Sequence, residues 1–325
     1  MTAVITGVGL AVSGLRDEND LLEDADTGSW DRQTGPEAFD LDSGPVAKGT
    51  RRKDRASRLA LRATEFALHR QGDAFEDSDS VAVVVSSNLG NLDTACEFID
   101  TIAEETVTGL SPLRVPHMSS NVTACWIALE HGLRGPNVTL CSGTTSGLDA
   151  MFWAANLLAA RRAEAVVVVG VEPDTVPVAR LHRQHGARTW LDGAVCLLVE
   201  SEDRATARGV RPRAVIAGYG RAADRETAVH QASNAALNQP IGFYVGAPGY
   251  YAPALDLTAR LGRCSGALGV LQCAAAVAWF DRSDHGSVLA VAGAADFDAE
   301  YDHEGDPSGV AALLLTRPAQ NDEVG

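Results

Sequence analysis

The stretch 265–280 constrains the fold of this chain more than any other segment. Gly266, Ala267, Gly269, Ala274, Ala275, Ala276 and Ala278 make it small and apolar on nearly every side of a helix. A helix without a polar face cannot lie on a surface; it has to be enclosed, with neighbouring layers pressed close to its backbone. The rest of the chain supplies such layers. Short β-branched runs near 3–12, 80–86, 138–142, 165–171 and 195–200 are followed by a second series near 214–219, 241–245, 287–292 and 309–315. Several are apolar at almost every position, the pattern of strands covered on both faces. Helical spacing falls between them at 55–69, 92–105, 122–132 and 145–160. Two strand–helix series, each with one internal helix, predict an α/β fold that is layered and duplicated. The break is expected in the charged stretch 200–213, read as a surface connection, giving halves 1–205 and 206–325 within one compact unit. The acidic segment 17–49 reads as loop.

Charge and cysteine usage exclude several functions. Among 325 residues, 43 Asp and Glu oppose 27 Lys and Arg, a net charge of −16 that argues against nucleic acid or an anionic membrane as partner. Cys96, Cys125, Cys141, Cys196, Cys264 and Cys273 form no CxxC pair, so free thiols buried in apolar surroundings are expected and no metal. The longest aliphatic run, 165–171, is too short to span a bilayer. No charged and apolar leader precedes the first strand, and a cytoplasmic location is expected.

The most informative motif is Gly143-Thr144-Thr145-Ser146-Gly147-Leu148-Asp149. A strand ends in small residues and a helix begins at once, placing Thr144 at a helix N-terminus. Backbone N–H groups there favour an anion or a developing oxyanion, while a plain capping Thr explains the residue equally well.

In this motif the chain resembles the β-ketoacyl synthases of the thiolase-like superfamily, in particular the subunits of type II polyketide synthases. Further matching segments occur in order: Val4-Ile5-Thr6-Gly7-Val8-Gly9, Asp54-Arg55-Ala56-Ser57-Arg58-Leu59-Ala60, Asn88-Leu89-Gly90-Asn91-Leu92-Asp93, Gly170-Val171-Glu172, Arg208-Gly209 leading to Ile216-Ala217-Gly218-Tyr219-Gly220, and Gly262-Arg263-Cys264-Ser265-Gly266-Ala267-Leu268-Gly269. The resemblance implies a thiolase-like αβαβα fold.

It also implies a catalytic set that this chain lacks. The family's nucleophilic Cys is Thr144 here; the first His falls on Val245 or Tyr244, the second on Arg263, and the Lys five residues earlier on Thr258. A Thr hydroxyl without a positioned base is a poor nucleophile for thioester chemistry. The glycine-rich Phe motif is reduced to Asp306-Pro307-Ser308-Gly309, and the chain is shorter before Trp190 and between Tyr219 and Gly246.

Within the family such a chain resembles the chain-length factor, the β-subunit of a ketosynthase heterodimer. That implies no catalytic residue and no cofactor. The implied partners are a ketosynthase α-subunit with intact Cys, His, His and Lys, an acyl carrier protein, and the polyketide acyl chain whose tunnel the subunit shapes. Met118, Ser119 and Val122 then face the tunnel or the interface. Aromatic-synthase β-subunits are longer and carry Gln at the nucleophile place, so a polyene-forming relative is the expected type. Arg263, if buried, is expected to pair with Asp192 or Asp256. Arg180, His182, Arg183, His185 and Arg188 read as a basic loop able to meet a carrier protein. Two alternatives stand beside this reading. One is an independent acyltransferase, thioesterase or decarboxylase using Thr144 or Cys141, although Cys141 is expected to be a core thiol on the preceding strand. The other is a homodimeric scaffold that binds carrier proteins.

Overall fold

The computed structural model describes residues 1–23, 41, 53–69, 78–183, 189–234, 240–283, 286–293 and 309–319. Among these residues, ten strands carry the fold. β1 is Ala3–Val12, β2 Val81–Ser86, β3 Asn137–Leu140, β4 Ala165–Glu172 and β5 Gly193–Ser201. β6 is Ala214–Ala222, β7 Ile241–Val245, β8 Ala254–Leu255, β9 Ser287–Gly293 and β10 Val310–Thr316. They lie in the order β3-β2-β4-β5-β1-β6-β10-β9-β7-β8.

That order contains a repeat. The first five strands are arranged β3-β2-β4-β5-β1, and the last five, read from the far edge, are β8-β7-β9-β10-β6. Strand directions repeat as well. β2 is parallel to β3 and β4, and β5 is antiparallel to β4 and β1. Likewise β7 is parallel to β8 and β9, and β10 is antiparallel to β9 and β6. Among the described residues, the two sets pair as a sheet through Val4–Val215 and Ile5–Ala214.

Helices form the other layers: α1 (Arg55–His69), α2 (Leu92–Glu105), α3 (Val122–His131), α4 (Ser146–Ala159), α5 (Val176–Arg183), α6 (Glu202–Ala207), α7 (Arg225–Ser233), α8 (Leu257–Leu261) and α9 (Leu268–Arg282). α1 and α3 cover one outer face of the first half, with Leu59, Ala63 and Ile127 against Val83, Val167 and Leu198. α7 covers an outer face of the second, through Ala228 and Ala232. α4 and α9 share the central core with inward residues of both halves, among them Leu148, Met151, Val270, Val166, Val195 and Leu313.

The two central helices meet at glycine. A Cβ on Gly147 would sit 2.6 Å from the Gly269 nitrogen, and one on Gly269 would sit 2.2 Å from the Leu148 nitrogen. Only bare backbone fits there, which explains the small-residue composition of α9. The strands and long helices predicted from spacing agree with these elements to within two or three residues. α9 begins three residues later than expected, because Ser265–Ala267 winds as a tight 3-10 turn first.

Other expectations change. Part of the acidic segment is not loop: Glu18–Leu22 forms a 3-10 turn with Leu21, Glu18 and Asp20 buried, and Arg213 meets the Glu18 carboxylate at 2.6 Å. Glu200 does not open a surface connection; it is buried in β5 and accepts from Thr6 Oγ1 (2.6 Å) and Arg208 Nη1 (2.6 Å). Arg180 lies on α5 rather than in a loop, and residues 184–188, with His185 and Arg188, lie outside the described set. Three cysteines are buried, Cys96 and Cys125 are half-buried, and Cys141 is exposed. Among the described residues no helix is long and apolar enough to cross a membrane.

Replacing Gly269 with Ala forces a methyl into backbone atoms that cannot yield. The expected cost is at the upper end of overpacking, about 3 kcal/mol. A fall in the urea midpoint of the Gly269→Ala variant checks it; an unchanged midpoint would show that α4 and α9 are free to move apart.

Candidate functional site

Both central helices start in matching turns. Gly143–Thr145 precedes α4 and Ser265–Ala267 precedes α9. Gly143 has φ +73°, a conformation glycine adopts freely. Ser265 has φ +44°, which costs a residue with a side chain about 1 kcal/mol and therefore needs support from its surroundings.

That support comes from Asn88, in the loop after β2. Its Nδ2 donates to the Gly143 carbonyl (2.9 Å) and to Ser265 Oγ (2.8 Å), while its Oδ1 accepts from the Gly143 N–H (3.2 Å). One amide thus fastens the two turns to each other. Behind it stands Glu172, the last residue of β4 and fully buried. Its carboxylate accepts from the backbone N–H groups of Asn88 (2.8 Å), Leu89 (3.1 Å) and Gly266 (2.9 Å). Burial pushes the Glu172 carboxyl up to about 7, against the pull of these N–H donors.

On the other side of the α4 turn, Asp149 gathers a second polar group. It accepts from Ser142 Oγ (2.8 Å), Thr145 Oγ1 (3.0 Å), Tyr219 Oη (2.5 Å) and Arg221. Phe152 stacks on Tyr219 with ring centroids 4.2 Å apart. Burial and the neighbouring Asp149 carboxylate push the Tyr219 phenol upward.

Thr144 is buried in the turn so held. Arg263 lies just before the second turn, bridged to Trp190, with its guanidinium 5.4 Å from the centre of the indole ring. The two carboxylates expected to pair with it are engaged elsewhere. Asp192 takes two hydrogen bonds from Arg55 (2.5 and 2.7 Å), and Asp256 caps α8 through Thr258 N (2.8 Å). Thr258 Oγ1 donates to the same Asp256 oxygen at 2.7 Å. Val245 and Tyr244 are buried at the end of β7, where the Val245 carbonyl accepts from Gln272 Nε2 on α9 (3.1 Å). Asp306, Pro307 and Ser308 lie outside the described residues.

Cys141 departs from expectation. β3 ends at Leu140, so Cys141 stands beyond the strand and is exposed rather than packed in the core. Its Sγ meets the Ser87 carbonyl at 2.9 Å. Partial burial of the sulfur, and secondarily the Glu172 charge, raise its pKa, the opposite of what a thiolate nucleophile needs. Met118 and Ser119 are exposed and Val122 is buried. Asn91 Nδ2 donates to the Met118 carbonyl (2.8 Å), so the loop after β2 touches both the paired turns and the segment ahead of α3.

The family model for the β-ketoacyl synthase N-terminal domain matches residues 5–189, which takes in β1 through the α4 turn and on to Thr189. The chain belongs to the β-ketoacyl synthase family. It is similar to 3-oxoacyl-[acyl-carrier-protein] synthase 2 of Vibrio harveyi, 28% identical over 171 residues, covering 46% of this chain and 41% of that protein. The enzyme of the same name from Vibrio cholerae is 25% identical over 210 residues, 57% of this chain and 51% of its own length. The chain thus spans about half the length of the curated relatives it matches. Among solved structures, the ishigamide ketosynthase/chain length factor superposes with a TM-score of 0.79 at 21% identity, covering 98% of this chain and 99% of the other. The complex AntDE:AntF, a type II polyketide synthase carrier protein with its ketosynthase bound to the hexaketide, gives 0.77 at 16% identity, with 98% and 99% covered. Both share the thiolase-like fold with this member of the family.

Asn88 and Glu172 lie in segments that match the family, but the sequence assigns neither a role. A carboxylate closing an otherwise apolar strand was the available signal. Because the Glu172 carboxyl titrates near 7 when folded and near 4.5 when unfolded, the unfolded chain gives up its proton first as pH rises. Stability is therefore expected to fall between about pH 4.5 and pH 7, by up to about 3 kcal/mol from this group. Denaturant midpoints at pH 5 and 7.5 check this: Glu172→Gln should flatten the slope, and an unchanged slope would assign the pH dependence to other groups.

Proposed function

We propose that this β-ketoacyl synthase family member is a non-catalytic subunit resembling a chain-length factor, which pairs with an active ketosynthase in type II polyketide synthesis and shapes its acyl tunnel. The observation that carries the reading is an uncovered apolar margin. Among the described residues β3 is paired on one side, to β2, and closes one end of the sheet. On the helices that pack against it, Leu129 is 71% exposed and Trp153 45%. Leu113 and Val115, just ahead of the expected tunnel segment, are 84% and 52% exposed. An open strand edge among large apolar side chains is a costly surface for a lone chain and a suitable one for a partner of similar fold.

Loss of chemistry points the same way. Thr144, Val245, Thr258 and Arg263 stand where the resemblance places thiol, imidazoles and ammonium, and none supplies those groups. The backbone frame around Thr144 is nevertheless complete, held by Asn88 and Glu172. A kept frame without reactive atoms suits a chain that contributes shape. The ketosynthase/chain length factor and the ketosynthase–carrier protein complex among the structural neighbours support partners of three classes: a ketosynthase, a carrier protein and its acyl chain. The rival reading of a free-standing acyltransferase using Cys141 is disfavoured by the raised thiol pKa.

Co-expression with a Cys-containing ketosynthase is expected to give a stable one-to-one complex, and Thr144→Ala in that complex should leave condensation unchanged. Covalent acylation of the purified chain by a carrier thioester, seen by mass spectrometry, would overturn the proposal. Met118→Trp or Ser119→Phe in the pair should shorten the products, read by chromatography, with the rate of the first condensation unaffected.

A further inference from the structure

A cleft of about 360 Å³ opens at the far end of α9 from the paired turns, where the connection between α6 and β6 crosses the seam of the two halves. Both halves line it. Thr6 belongs to β1, Arg211, Pro212 and Arg213 to the connection, and Asp281 to the last turn of α9, while Arg317 follows β10. The lining side chains thus include three guanidiniums and one carboxylate, in a chain whose net charge is −16.

The run Arg211-Pro212-Arg213 sets two of these cations side by side. Proline holds the residue before it extended, and side chains two apart on an extended chain leave on the same side, about 7 Å from each other. The Arg213 N–H donates to the Ile5 carbonyl (2.8 Å), which pins the segment next to the Ile5–Ala214 pair. Arg213 is only partly committed. Its Nη2 lies between Asp281 and Glu18, the latter at 2.6 Å. Its Nη1 and Nε have no acceptor among the described residues, and neither is shut away from water. Arg211 is exposed and makes no hydrogen bond or ion pair among the described residues. Arg317, tied through Nη1 to the Ser283 carbonyl, adds a third positive charge.

From this we infer that the cleft binds a phosphate group. Guanidinium forks match the oxygens of carboxylates and phosphates alike. A planar carboxylate offers one edge, which a single fork satisfies; a tetrahedral phosphate presents oxygens to two forks at once. Arg211 and the open donors of Arg213 take those oxygens, Arg317 adds to the attraction, and Asp281 stays on Arg213 Nη2. Inorganic phosphate and a small phosphate ester share this chemistry. Because the site is assembled from both halves, it exists only in the folded chain, and a bound phosphate stabilises the seam by mass action. The inference is independent of pairing with a ketosynthase and holds or fails on this chain alone.

The test follows thermal unfolding of the full chain in Tris chloride at constant ionic strength, with inorganic phosphate, phenyl phosphate or acetate replacing chloride. The midpoint is expected to rise with the logarithm of phosphate concentration and to stay still with acetate. A stronger response to phenyl phosphate assigns the site to a phosphate ester, and an equal or weaker one assigns it to the free ion. Arg211→Gln should leave the midpoint in chloride unchanged. It should weaken phosphate binding, measured by titration calorimetry, about ten- to hundredfold, the worth of one hydrogen bond to a charged group. No rise with either phosphate, an equal rise with acetate, or binding undiminished in Arg211→Gln overturns the site. Calorimetry of the unaltered chain with phosphate against acetate decides the matter even if the variant does not fold.

Discussion

The contact between Gly147 and Gly269 sets the arrangement of everything around it. Two helices cross there with backbone on backbone, at a separation no side chain permits. The crossing lies at the first turns of α4 and α9, so it also fixes where both helices begin. Among the described residues, the join between the two sets of strands is two residue pairs long. Packing of the central helices therefore does most of the work of holding the halves together, through dispersion and apolar burial rather than through a shared ladder.

From that crossing outward, the polar groups form a small and closed set. Asn88 ties turn to turn, and Glu172 ties the loop after β2 to the α9 turn. Beside the side-chain contacts of Asn88 with Ser265 and Ser146 and of Glu172 with Ser87, both act on backbone N–H and C=O groups. Such groups are present whatever the side chains are. Asp149 does the corresponding work on the far side of α4, with side-chain donors from β6. The paired turns are rigid because each is held from two directions, and buried carboxylates are tolerable there because their oxygens are met by several donors.

Much of this was legible in the amino-acid sequence, for reasons that vary by element. Strands such as β1 and β4 are apolar throughout because both faces are covered, and that leaves an unambiguous mark. The enclosed helix α9 announced itself by lacking a polar side. The short helices α6, α7 and α8 left no comparable trace: five to nine residues offer too little period, and their starts rest on single caps from Ser201, Asp224 and Asp256. The two-residue β8 is defined by its pairing with β7 and has no local signature. At the site, family resemblance located Thr144 and Arg263, but it could not show that Asp192 belongs to Arg55 or that Cys141 stands outside the sheet. Those outcomes depend on long-range geometry, since Arg55 and Asp192 are far apart in the chain.

The grip of Asn88 on the Gly143 peptide has an evolutionary consequence. A turn clamped through its peptide groups keeps its shape when the neighbouring side chain is exchanged, so reactivity and architecture can be inherited separately. Position 144 could pass from one residue to another by a single codon change without loosening the helix that starts beside it. A scaffold of this kind can shed its chemistry in small steps, each leaving a folded molecule still able to offer its surface to a relative.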